Sequence, residues 1–204
     1  MSSQFDSRVA SSLQDSLTVK QHLIQDQDLV SLVSRAVSLC LQAVKAGKKL
    51  LLFGNGGSAA DCQHIAADFV GRFAFDRAAM PAIALTVNSS SLTAIANDYG
   101  FEQVFSRQIE ALGQPGDVAI GLSTSGNSPN VVLGLTKAAE SGLHTVALTG
   151  ASGGKLKHCA IDVCICVPSG STPRIQECHT LIGHIISEIV EQELFHAQGR
   201  VSGS

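Results

Sequence analysis

The sequence predicts an α/β fold: a three-layer sandwich with a five-stranded parallel sheet, helices on both of its faces, and an N-terminal helical extension. Three observations predict it. Five short, solidly apolar runs are each bounded by turn residues, as strands buried on both faces are. Stretches with helical apolar spacing separate them, and strands that alternate with helices form a parallel sheet. Two of the runs end in turns rich in glycine or serine that lead directly into helices.

Taken in order, apolar residues recur at helical spacing through residues 5–24. They do so again in DLVSLVSRAVSLCLQAVKAG, which ends at Gly47 as a helix C-terminus should. KKLLLFG, MPAIALTV, GDVAIGLST, LHTVALTG and AIDVCICVP are the five strands. Helices are expected at 57–71, 90–111 and 128–141, with a short one near 153–158 and a long closing one over 173–196. No repeat, low-complexity block or linker interrupts the pattern, and AQGRVSGS reads as a frayed tail. The chain thus divides into an N-terminal helix (1–26) suited to oligomer packing, one domain (27–196) and a flexible tail (197–204).

With 204 residues, 45% of them hydrophobic, one domain with a sizeable core is expected. A net charge of -3 and scattered Lys and Arg argue against capture of nucleic acid or anionic lipid, which needs a clustered basic face. The start, MSSQFDSRVASSLQDSL, has no apolar leader core, and no run reaches the roughly 18 apolar residues of a membrane span. A cytoplasmic protein with a small-molecule or protein partner is expected. None of the six cysteines forms a CxxC pair. Strand alternation puts Cys164 and Cys166 on one face, so they resemble ligands, but small hydrophobes in a reducing compartment are the favoured reading.

In an open parallel sheet, ligands bind where strand carboxyl ends turn into helices with unpaired N–H groups. Two turns here have that chemistry. The first is Gly54-Asn55-Gly56-Gly57-Ser58. The second is Ser123-Thr124-Ser125-Gly126-Asn127-Ser128-Pro129, with proline at the first turn of a helix. Four hydroxyls within six residues exceed what an N-cap requires, so the second loop reads as a phosphate cradle. The first loop also satisfies GxGxxA through Gly54, Gly56 and Ala59. A nicotinamide cofactor, however, requires an acid at the end of the next strand, where Val87 and Asn88 stand. A Walker lysine is also missing, so no nucleotide cofactor is expected.

His64 and Asp68 are four apart, one turn above the other on a helix face. Gln176, His179 and His184 fall in the otherwise mainly apolar TPRIQECHTLIGHIISEIV, where Gln176 and His184 lie about 80° apart around the helix. His64, Asp68, Gln176 and His184 could surround a divalent metal, and nitrogen and oxygen ligands suit zinc. They could equally supply general acid and base. A lone histidine on an apolar helix is also often a hydrogen-bonded core residue, and Asn97-Asp98 in IANDYG could be a turn alone.

Together, FGNGGSAADCQHIAADFVGRF, LTAIANDYG, GDVAIGLSTSGNSPNV, VALTG and TPRIQECHTLIGH closely resemble the sedoheptulose 7-phosphate isomerases (phosphoheptose isomerases) of the flavodoxin-like sugar isomerase (SIS) fold. The likeness spans roughly residues 27–195. It implies a cytosolic homotetramer with active sites between subunits, the N-terminal helix contributing to assembly. The implied reaction converts sedoheptulose 7-phosphate to D-glycero-D-manno-heptose 7-phosphate, opening the heptose pathway to lipopolysaccharide core or other glycans. It makes Asn55, Gly56 and Gly57 substrate-contacting, Asn97 and Asp98 sugar contacts, and Ser123, Thr124, Ser125 and Ser128 the phosphate holders. His64, Asp68, Gln176 and His184 fall on its zinc positions, and Asp68 and His184 on its catalytic pair. The family carries glutamate at position 68. Aspartate is one methylene shorter, which sets its oxygens back by about 1.5 Å.

The competing reading is a non-catalytic SIS protein that binds a protein partner, such as the one associated with the replication initiator. That protein lacks the acid/base pair, whereas this chain keeps His64, Asp68, Gln176 and His184.

Overall fold

The computed structural model describes residues 4–195. In chain order the elements are α1 (Asp6–Gln25), α2 (Gln27–Lys45), β1 (Leu50–Gly54), α3 (Gly57–Val70), β2 (Ala82–Ala84), α4 (Ser89–Tyr99), α5 (Ser106–Leu112), β3 (Val118–Ser123), α6 (Pro129–Glu140), β4 (His144–Gly150), β5 (Val163–Val167) and α7 (Thr172–Phe195). The expected tail, 197–204, lies outside the described residues. Among the described residues no helix is long and apolar enough to cross a membrane.

The sheet is wholly parallel, in the order β2-β1-β3-β4-β5. Alternation along each strand sends side chains into two cores. Leu50, Leu52, Ile120, Leu122, Val146 and Ile165 pack with α2, α3 and α7 on one face. Leu51, Phe53, Ala119 and Ala147 pack with α5 and α6 on the other, with α4 against their rim. The three layers are those expected.

Two expectations need correction. The helix expected over 90–111 is broken: Gly100 at φ 94 ends α4, a 3₁₀ turn follows at Phe101–Gln103, and α5 begins only at Ser106. The positive φ at Gly100 is one that residues with a Cβ rarely adopt, so the break needs a glycine. The second concerns burial on both faces, which fails at β2 and β5. Both are edge strands, and β2 contains only three of the residues in MPAIALTV. Pro81 cannot donate to the ladder, though its carbonyl still accepts from Leu50 N–H at 3.0 Å.

The helix ends follow local chemistry. Asp26 caps α2 by accepting from Asp28 and Leu29 N–H, and Gly47 at φ 70 reverses the chain after it. Pro129 opens α6. In contrast, α1 buries only Leu23 and leaves Val9, Leu13, Leu17 and Ile24 exposed.

Candidate active site

Sheet order places the site. β1 and β3 are neighbours, but the chain leaves β1 through α3 on one face and leaves β3 through α6 on the other. Their carboxyl ends therefore border the crevice of a topological switch point. The two ligand loops predicted from sequence are the ones that flank it. They are tied together: Asn55 and Asn130 exchange two side-chain amide hydrogen bonds, each 2.9 Å, and Asn130 is buried.

Within the second loop, Ser123 Oγ and Ser128 Oγ are 2.9 Å apart, and Ser125 Oγ accepts from Asn127 N–H at 3.1 Å. Gly126 at φ 65 packs against the backbone of Gly153 so closely that no Cβ fits. Thr124 is half-buried and its carbonyl accepts from Gly150 N–H. In the first loop, Gly56 at φ 57 turns the chain into α3. A Cβ at Gly57 would lie 2.5 Å from Gln176 Nε2, so the bare backbone is what lets α7 bring that amide to the loop.

Two turns further along α3, His64 meets His184 of α7 with Nε2 facing Nε2 at 3.1 Å. Asp68 Oδ1 is 3.8 Å from His64 Nε2. Asp68 Oδ2 is buried with no hydrogen-bond partner. Burial pushes the Asp68 carboxyl above its ordinary value, while the nearby His64 and His184 pull it back. The result is a carboxylate that binds a proton more readily than one in water. The ring of Phe73 covers His184, with centroids 5.6 Å apart.

Two groups, the half-buried Asp61 and the Arg77–Glu191 pair, hold this cluster in place. Asp61, one turn before His64, accepts from Thr180 Oγ1 of α7 at 2.9 Å, and its Oδ2 is also unpartnered. Arg77 donates to the Asp68 carbonyl at 2.7 Å, to the Phe69 carbonyl at 2.7 Å and to Glu191 of α7 at 2.9 Å. Glu191 also accepts from Phe73 and Ala74 N–H. The helices that carry Asp68 and His184 are therefore tied through a fully buried ion pair.

Known proteins match this frame. Residues 16–150 match the SIS domain family. The phosphoheptose isomerase of Sulfurimonas denitrificans is 51% identical over 183 residues, covering 90% of this chain and 93% of that protein. The chain belongs to the phosphoheptose isomerase family. The solved phosphoheptose isomerase of Neisseria gonorrhoeae is 43% identical, with a TM-score of 0.86, and covers 93% of this chain and 100% of its own. That of Francisella tularensis is 33% identical with the same TM-score, at 91% and 97% coverage.

In this phosphoheptose isomerase frame, the metal-type donors are His64, Asp68 and His184, whose ligand atoms lie within 4.8 Å of one another. They fit zinc. A tetrahedral ion with Zn–N bonds of about 2.05 Å holds two nitrogens about 3.3 Å apart, close to the 3.1 Å found between the imidazoles. Asp68 Oδ1, 3.8 Å from His64 Nε2, offers an oxygen donor. No hydrogen bond among the described residues joins Gln176 to this trio.

Asn97 and Asp98 stand apart. They are exposed in the last turn of α4, where Asn97 Nδ2 donates to Asp98 Oδ1 at 2.8 Å. No hydrogen bond or ion pair among the described residues ties either to the cluster. His179 is the core histidine that helix periodicity allowed for: it is buried and bonded to the Thr149 carbonyl at 3.2 Å.

Sequence reasoning missed Asp61, Asn130, Arg77 and Glu191. Asp61 was findable, because it lies three and seven residues before His64 and Asp68, on the same helix face. The other three gain their roles from partners far along the chain.

Proposed function

We propose that this chain interconverts sedoheptulose 7-phosphate and D-glycero-D-manno-heptose 7-phosphate through an enediol, the first step of heptose biosynthesis. One observation carries the reading: a carboxylate and two imidazoles meet beside two phosphate-type loops at the switch point of a phosphoheptose isomerase fold.

Turning a 2-ketose into an aldose moves one proton from C1 to C2 and another from O1 to O2. Asp68 takes the C1 proton and returns it at C2, a role suited to a carboxylate whose burial raises its basicity. His184 gives a proton to O2 and takes one from O1. Ser123, Thr124, Ser125 and Ser128 hold the phosphate, with Asn55, Gly56, Gly57 and Gln176 lining the sugar. His64, Asp68 and His184, with Gln176 adjoining, would hold zinc, which polarises the carbonyl when bound. Asn97 and Asp98 are exposed, which suits sugar contacts made across subunits of a homotetramer. The apolar face of α1 suits packing in that assembly. Six free thiols suit the reducing cytoplasm. The product would feed lipopolysaccharide core or another heptose-containing glycan. The partner-binding alternative is not favoured, since it has no use for the Asp68–His184 pair.

The test is an NMR time course with sedoheptulose 7-phosphate in D2O. Aldose anomeric signals with deuterium at C2 are expected. A folded protein that produces neither, with and without zinc, overturns the reading.

A further inference from the structure

We propose that Cys164 and Cys166 form a second metal site, a dithiol that takes a soft d10 cation such as copper(I), zinc or cadmium. It is separate from the His64–Asp68–His184 trio. Both residues project from the same face of β5, the open edge of the sheet, and their sulfurs stand 4.0 Å apart. Two thiolates on a tetrahedral ion with M–S bonds of about 2.3 Å lie about 3.8 Å apart, and a larger soft ion asks for slightly more. The pair therefore needs almost no rearrangement to close on a cation.

Three features surround it. Thr149 Oγ1 lies 3.6 Å from Cys166 Sγ while donating at 2.9 Å to the Gly150 carbonyl, which places a polar group beside the sulfur. Gly153 packs against Cys166 and the Lys157 side chain, where a Cβ on Gly153 would lie 3.1 Å from Sγ. A third half-buried thiol, Cys159, and the Lys157 ammonium lie near enough to Cys164 to act on its ionisation. Cys40, Cys62 and Cys178, by contrast, are buried in the helical layer on the other face.

Without a cation the Cys164 thiol keeps its proton, because burial and the neighbouring sulfur push it up to about 12. A divalent ion replaces the two thiol protons: the two S–H bonds break, two M–S bonds form and two protons leave to solvent. Soft thiolate ligands select d10 cations over magnesium or calcium.

The test is a cadmium chloride titration of the reduced protein, followed by ultraviolet thiolate-to-cadmium charge transfer. The band should develop within two equivalents, since the His64–Asp68–His184 trio also takes cadmium. Cys164→Ser and Cys166→Ser should each weaken binding at least tenfold. His64→Gln should leave the band intact, since the trio binds cadmium through nitrogen and oxygen and gives no such band. Persistence of the band in the double Cys→Ser variant, or its absence from the native protein, overturns the site. If the double variant does not fold, 113Cd NMR of the native protein decides: a resonance only in the nitrogen/oxygen region overturns the proposal.

Discussion

His64 and His184, 120 residues apart in the chain, face each other Nε2 to Nε2 at 3.1 Å. One proton or one cation has to occupy the line between those nitrogens, since two bare lone pairs repel. With the Asp68 carboxylate 3.8 Å from His64 Nε2, the arrangement favours a cation.

Zinc at 100-fold excess over its Kd should therefore stabilise the fold by about 3 kcal/mol. That raises the Tm by roughly 6–12 °C for a domain of this size. Calorimetry with and without a chelator measures it, and His64→Gln should abolish the shift. An unchanged Tm would show that the imidazoles share a proton instead.

Asp68 carries the second prediction. Asp68→Asn keeps the shape but removes the base, so kcat should fall by about 10³-fold, within the range for general acid–base groups. Asp68→Glu restores the longer carboxylate of the family resemblance and should keep kcat within about tenfold of the native value or above it. An Asp68→Asn protein with native kcat would remove Asp68 from the mechanism.

The Asn55–Asn130 amide pair gives the third. Asn130→Asp keeps one of the two hydrogen bonds, turns the other into a contact between two oxygens, and places a charge beside the phosphate loop. A lost bond at a buried polar site costs about 1–3 kcal/mol. KM for the sugar phosphate should rise by about tenfold or more, with a smaller change in kcat. An unchanged KM would show that the two loops do not depend on this tie.

His179 makes stability depend on pH. Burial depresses its pKa from 6.5 to about 4, against a weaker opposing effect of the Thr149 carbonyl. Between these values the unfolded chain binds the proton and the folded one does not, so stability rises with pH. It is complete above about 6.5 and is lost as pH falls toward 4, by at most about 3 kcal/mol. Denaturant melts at pH 7 and pH 5 check this, and His179→Gln should flatten the difference.

Much of this protein was legible from local chemistry. Strand and helix alternation, the ends at Gly47 and Pro129, and the two ligand loops depend on periodicity and on the φ and hydrogen-bonding habits of single residues. Those are properties of a few neighbours in the chain. The spacing of His64 and Asp68 on one helix face was legible for the same reason. The break at Gly100 was not, because LTAIANDYGFEQVFSRQIEAL keeps an apolar spacing that one straight helix would satisfy.

What no window of sequence contains is the order β2-β1-β3-β4-β5, which decides that the loops after β1 and β3 meet across a crevice. Nor does it contain the 3.1 Å approach of His184 to His64, the burial that orphans Asp68 Oδ2, or the Arg77–Glu191 pair that braces them. Each of these depends on helices packing across a sheet, where distance and dielectric are set by residues more than a hundred positions away.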